Sequence, residues 1–181
     1  MPVGGHAVVR VGAPAGSCAP AIVHAVRARD RAQGLMAVPG EAVLITGVYG
    51  TGKTTVCEEL AERLESAGVA SGAIDLDWRG WIDSPQLDAA AAHRTYLANL
   101  SAVTTNYAEA GVQCLVLAGK VRSNAELDAL RTVVPFPVGI VRLILPLEEI
   151  ERRLSGAVTL GRARDVTNAA RWLEHGIGAV K

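Results

Sequence analysis

The segment Gly47-Val-Tyr-Gly-Thr-Gly-Lys-Thr54 has the residue types and spacing to hold a phosphate group. Glycines at positions 47, 50 and 52 let successive backbone N–H groups turn toward one point, and a helix opening at Lys53 would aim its positive end there too. The amides of Tyr49, Gly50, Thr51 and Gly52 would line that cradle. Lys53 would reach the β- and γ-phosphates of a triphosphate, Thr54 would offer a hydroxyl to Mg²⁺, and Thr55 is placed to hydrogen-bond the α-phosphate. The plain alternative is a glycine turn carrying a surface lysine. It is disfavoured because an apolar strand precedes the turn and a helical pattern follows it. ATP is therefore the expected ligand, with Mg²⁺ as its counter-ion.

Two carboxylates supply a second chemical feature. The run from Ala70 to Asp77 reads as a strand whose alternation puts Asp75 and Asp77 on one face and Ile74 and Leu76 on the other. A carboxylate at a strand end can orient a hydroxyl and take its proton; the alternative is that both aspartates merely end the strand. Trp78 and Trp81 follow at once, in a chain with only 3 Trp and 1 Phe, and suit either a stacking wall for a ligand or an anchor to the core. His93, Arg94 and Asn99 are candidates for ligand contact only if their helix face turns toward the loop. Lys120 and Arg122 stand after an apolar strand, ready to steady an anion or simply to be solvated.

The elements that must position these residues alternate between strand and helix. His6–Val11 reads as a strand, and 20–33 as a helix. Glu41–Thr46 is a buried strand leading into the glycine turn and a helix from Lys53. Pro85 to Ala110 is a long helix, with proline suited to its first position. Val112–Ala118 is a strand, and Ser123-Asn-Ala-Glu126 is a capping-box pattern opening a helix to Val133. Pro137–Leu145 is a strand, and a further helix begins at Pro146. This order predicts a three-layer αβα fold with a five-stranded parallel sheet and right-handed crossovers. At 181 residues the chain fits one domain, 1–181.

The loop, the Asp75-Leu-Asp77 strand end and the arginine-bearing stretch from Arg152 to Arg164 resemble the small P-loop kinases: the shikimate, gluconate and adenylylsulfate kinases and chloramphenicol phosphotransferase. The stretch Ala73-Ile-Asp-Leu-Asp-Trp-Arg-Gly-Trp81 resembles an uncharacterised bacterial branch of that group. The resemblance implies transfer of a γ-phosphoryl group to an alcohol, with Asp77 holding the acceptor hydroxyl and Asp75 supporting the metal's water shell. It makes 155–164 a lid, with Arg153 packing on the adenine and Arg162 approaching the phosphates. Trp78, Trp81, Arg94 and Arg122 become candidate acceptor contacts. The strand ending at Ala118 lacks the acidic residue often found there in other P-loop enzymes, which leaves metal support to Asp75 or water.

Element order departs from the family in one respect. The glycine loop usually lies near the N-terminus of such kinases, with a last strand and helix after the lid; here the strand and helix stand in front, within residues 1–40. A circular permutation would place His6–Val11 parallel to 137–145 at the sheet edge. The alternative is an unrelated N-terminal extension.

Composition bounds the rest. Lys plus Arg number 18 and Asp plus Glu 18, so no global field draws the chain to nucleic acid or an anionic membrane. The 3 cysteines are dispersed and odd in number, which argues against a disulfide framework or structural zinc and for a reduced cytoplasm. No apolar run has the length of a membrane span. The expected partner is a small-molecule alcohol, with the chain a monomer or homodimer. Phosphorylation of a nucleotide or nucleic-acid 5′ end, and a non-catalytic ATP-binding regulatory module, are the alternatives.

Overall fold

The computed structural model describes residues 6–10, 40–79 and 87–155. Its strands are β1 (His6–Arg10), β2 (Glu41–Thr46), β3 (Ser71–Asp75), β4 (Cys114–Ala118) and β5 (Val138–Ile144). Its helices are α1 (Lys53–Ser66), α2 (Leu76–Arg79), α3 (Ala89–Glu109), α4 (Asn124–Val133) and α5 (Leu147–Ser155). All pairings are parallel, in the order β1-β5-β2-β4-β3. The first strand lies where the permuted reading put it, with Val8 opposite Arg142 and Arg10 opposite Ile144. The expected helix at 20–33 and, apart from Ser155 at the end of α5, the expected lid at 155–164 lie outside the described residues.

The central strands are apolar on both sides because helices cover both faces. On one face Val43, Ile45, Val116 and Leu143 meet the α1 residues Cys57, Leu60 and Leu64, which recur at helical spacing. On the other, Leu44, Leu115, Leu117 and Ile140 meet Leu100 of α3 and Leu127 and Leu130 of α4. The buried Thr104 hydroxyl donates to Leu100 O at 2.8 Å, so α3 buries this polar atom with its hydrogen bond made.

Helix starts follow local chemistry. Asp88 caps α3 by accepting from Ala91 N at 2.6 Å, so the helix begins at Ala89 and not at the Pro85 that sequence pattern favoured. Ser123 caps α4 as expected, accepting from Glu126 N at 3.2 Å. Strand register sets the site. Ala118 of β4 stands opposite both Ile45 of β2 and Asp75 of β3, so the chain leaves three neighbouring strands at one level. In an open parallel sheet the crevice beyond those ends is where ligands bind.

Candidate active site

Beyond β2 the backbone turns through Gly50 at φ 81° and Gly52 at φ 87°, left-handed values that a side chain would strain. A Cβ at Gly50 would also lie 3.2 Å from Ile150 and Leu154, because α5 leans directly on the turn. Thr51 fastens the loop from within, its hydroxyl donating to Val48 O at 2.8 Å. The loop is thus held from below by its own hydrogen bonds and from the side by α5.

Lys53 opens α1 with a side chain only 6% exposed. Its Nζ donates to Val48 O at 3.3 Å, stands 4.0 Å from an Asp77 carboxylate oxygen, and lies 5.1 Å from the centre of the Tyr49 ring. A carbonyl, a carboxylate and an aromatic face together compensate a nearly buried ammonium. One residue on, Thr54 Oγ1 donates to Asp75 Oδ2 at 2.9 Å, while Asp75 Oδ1 accepts from the backbone N–H of Asp77 at 2.9 Å. Asp75 therefore ties α1 to the turn that carries Asp77.

That turn corrects one expectation. The strand does not run on to Asp77; it ends at Asp75, and Leu76 and Asp77 begin a short helix. The cause is local: the Asp75 carboxylate captures the N–H two residues ahead, a hydrogen bond that competes with the sheet ladder. The two carboxylates still serve one site, through this turn instead of through strand alternation.

Lys120, just past β4, lies 5.3 Å from the Tyr49 ring centre, so the two lysines share one aromatic ring. Burial first, then the nearby Arg122, lowers the Lys120 pKa from its ordinary value; Asp77 works in the opposite direction. Arg122 is bound to Glu126 through its guanidinium at 2.6 Å, and the same carboxylate accepts from the Arg122 backbone N–H at 2.7 Å. Arg153 of α5 donates to Glu149 at 2.7 Å and reaches toward Gly52, its guanidinium 3.6 Å from where a Cβ there would sit. Hydrogen bonds from Arg152 and Arg153 hold the Glu149 carboxyl down to about 2.

A cavity of about 470 Å³ opens beside the loop between α3 and the end of β4. Asp77, Lys120 and Arg122 line it together with Tyr49, His93 and Tyr96. Gly47, Gly50, Thr51 and Gly52 lie in the neighbouring turn, Lys53 and Thr54 open α1, and Thr55 is exposed in its first turn. Arg94 is exposed and is not among the cavity-lining residues; the face that turns inward carries His93, Tyr96 and Leu97 instead. Trp81 and Arg162 lie outside the described residues, as does the Trp78 side chain. Sequence reading missed Glu126 as a cavity wall, although its capping-box spacing had already marked it as ordered. It also missed the role of Glu149, whose spacing to Arg152 and Arg153 was the available signal.

A family model described as AAA domain matches residues 43–165, more than half of the chain. The chain belongs to this AAA domain family (AAA_18). No curated protein matches the sequence. Among solved structures, the AAA domain is similar to an unliganded sugar kinase from Janibacter sp. HTCC2649, at 21% identity over 72% of this chain and 78% of that one, with a TM-score of 0.54. It is also similar to the APS kinase of Mycobacterium tuberculosis in complex with AMPPNP and APS, at 26% identity over 64% of this chain and 68% of that one, with a TM-score of 0.50. The AAA domain thus has the α/β fold of the small P-loop kinases, the group its sequence resembles. No helix among its described residues is long and apolar enough to cross a membrane.

Proposed function

We propose that the chain is an ATP-dependent kinase that moves the γ-phosphoryl group to a hydroxyl of a small molecule. The observation that carries this reading is the linkage Thr54–Asp75–Asp77–Lys53, which sets a carboxylate beside the buried lysine of a phosphate-binding turn. Asp77 has its side chain 34% exposed on the cavity side, where it can meet an incoming alcohol. It orients the hydroxyl and accepts its proton as the alcohol oxygen bonds to the γ-phosphorus. The bond from that phosphorus to the bridging oxygen breaks, and ADP leaves with the electron pair. Lys53 stays with the charge moving from the γ-phosphate to ADP, and Lys120 adds a second cation from the β4 side.

Thr54 Oγ1 and Asp75 Oδ2, 2.9 Å apart, form a hard oxygen pair suited to Mg²⁺, which takes one or two protein oxygens and completes its shell with phosphate and water. They would hold it there, where it would neutralise phosphate charge. Arg153 is already aimed at the turn, and Arg162 is assigned to the lid over the phosphates. Equal numbers of acidic and basic residues support a small-molecule partner over a nucleic acid, and the odd number and wide spacing of the 3 cysteines support a reduced, cytoplasmic setting.

Two substitutions separate the roles. Asp77→Asn is expected to lower transfer by about 10²–10⁴ while ATP affinity stays nearly unchanged. Lys53→Met is expected to weaken both, because its ammonium contacts phosphate before and during transfer. Single-turnover transfer and ATP titration calorimetry on both variants check this. Full turnover in Asp77→Asn refutes its role, and absence of heat with magnesium and any purine triphosphate refutes the reading as a whole.

A further inference from the structure

The two lysines of the site are tied to each other through one side chain. Lys53 Nζ lies over the Tyr49 ring at 5.1 Å from its centre, and Lys120 Nζ at 5.3 Å. They reach the ring from different parts of the site. Tyr49, Asp77 and Lys120 line the cavity, whereas Lys53, 6% exposed, is not among the lining residues and opens α1 at the glycine turn. The backbone fixes where Lys120 starts. Gly119 N donates to Ile45 O at 3.0 Å and Val121 N to the buried Thr46 Oγ1 at 3.3 Å, so both neighbours of Lys120 are fastened to the end of β2, the strand that feeds the turn.

We infer that Tyr49 is a positioning residue whose ring keeps the Lys53 and Lys120 ammoniums together, one on the turn side and one on the cavity side, so that both engage the γ-phosphate of a bound triphosphate. The inference rests on the kinase reading and gives a role to a side chain that this reading leaves without one. Two ammoniums repel, and before a nucleotide arrives something must offset that repulsion. Burial and then Arg122 lower the Lys120 pKa, Asp77 raises it, Lys53 lowers it again and Glu126 raises it, so the two ammoniums act on each other. The negative face of an aromatic ring attracts both cations and takes no proton from either. Asp77 also attracts them, at 4.0 Å from Lys53 Nζ, but its carboxylate is the group assigned to the acceptor hydroxyl. The ring is the attractor that the reaction leaves unchanged. Without it, Asp77 and Glu126 are left as the attractors of Lys120, and a γ-phosphate must compete with them. Lys53 keeps the Val48 carbonyl and Asp77, so the effect falls on the γ-phosphate more than on the rest of the nucleotide.

The test is titration calorimetry on the full chain with Mg²⁺, comparing ADP with the non-hydrolysable triphosphate AMPPNP. The wild-type chain is expected to prefer AMPPNP. Tyr49→Leu and Lys120→Met are each expected to reduce that preference by about three- to tenfold while ADP affinity changes by less than about twofold, and Tyr49→Phe is expected to restore most of what Tyr49→Leu loses. The double variant Tyr49→Leu/Lys120→Met is expected to lose less than the product of the two single losses, because the ring acts through the lysine. A wild-type chain without the preference, an unchanged preference in either single variant, an equal loss of ADP affinity, no recovery in Tyr49→Phe, or fully multiplicative losses overturns the inference and leaves the kinase reading standing. A wild-type chain that binds neither nucleotide overturns both.

Discussion

Asp75 is the residue on which the site turns. One carboxylate oxygen accepts from Thr54 and the other from the Asp77 backbone, so a single side chain couples α1 to the carboxylate proposed to meet the acceptor. Its negative charge also reaches the layer beneath. Cys57, buried under α1, has its thiol pushed up to about 11 from 9.0, by burial first and then by Asp75 and Glu58. Both causes disfavour the thiolate, which is the reactive form. At pH 8 the native protein should therefore carry about a hundredfold less Cys57 thiolate than an ordinary cysteine would. Iodoacetamide labelling read by peptide mass spectrometry is expected to be slow for Cys57 in the native chain and fast in urea. Equal rates in the two states would contradict the burial and the charge assigned to this residue.

At the scale of elements, the short helix α2 is positioned by the end of β4. A Cβ on Gly119 would fall 2.6 Å from Leu76 Cβ, so only the missing side chain allows the two backbones to approach. Leu76 precedes Asp77, and through it the packing of β4 sets where the carboxylate stands. Gly119→Ala is expected to cost about 1–3 kcal/mol of stability by overpacking. Because the displaced residue adjoins Asp77, acceptor turnover should fall more than ATP affinity. Urea unfolding and steady-state kinetics on the same variant measure both effects. A loss of ATP binding equal to the loss of turnover would show that Gly119 supports the glycine turn instead. The α5 helix plays the corresponding part on the opposite side, where Ile150 and Leu154 bear on Gly50.

For the whole molecule, the decisive arrangement is a strand from the beginning of the chain closing the edge beside β5. That strand protects the backbone of β5, which in turn holds β2 and the glycine turn it feeds. Deletion of residues 1–10 is expected to lower the thermal midpoint and to expose the outer edge of β5, seen as faster hydrogen exchange of amides in Val138–Ile144. An unchanged midpoint would show that β1 contributes nothing to the sheet. We propose on the same ground that residues 1–40 are the permuted strand and helix of the family. A chain with residues 1–40 moved behind residue 181 should then retain nucleotide binding by calorimetry.

The glycine turn, its flanking strand and helix, and the alternation of elements were legible in sequence because each rests on local rules: glycine spacing, caps and apolar periodicity. The edge position of His6–Arg10 was legible for another reason, since the resemblance to the family offered it as a permuted strand beside 137–145. What local rules do not contain is the distance between parts. That Asp77 would stand 4.0 Å from Lys53, that Glu126 would neutralise Arg122 within the cavity, and that His93 rather than Arg94 would face it all follow from strand register and helix rotation. Those are set by burial of two apolar layers against one twisted sheet, a collective property of residues far apart in the chain. Sequence thus determined which chemistry the protein is equipped for, and packing decided which side chains meet to perform it.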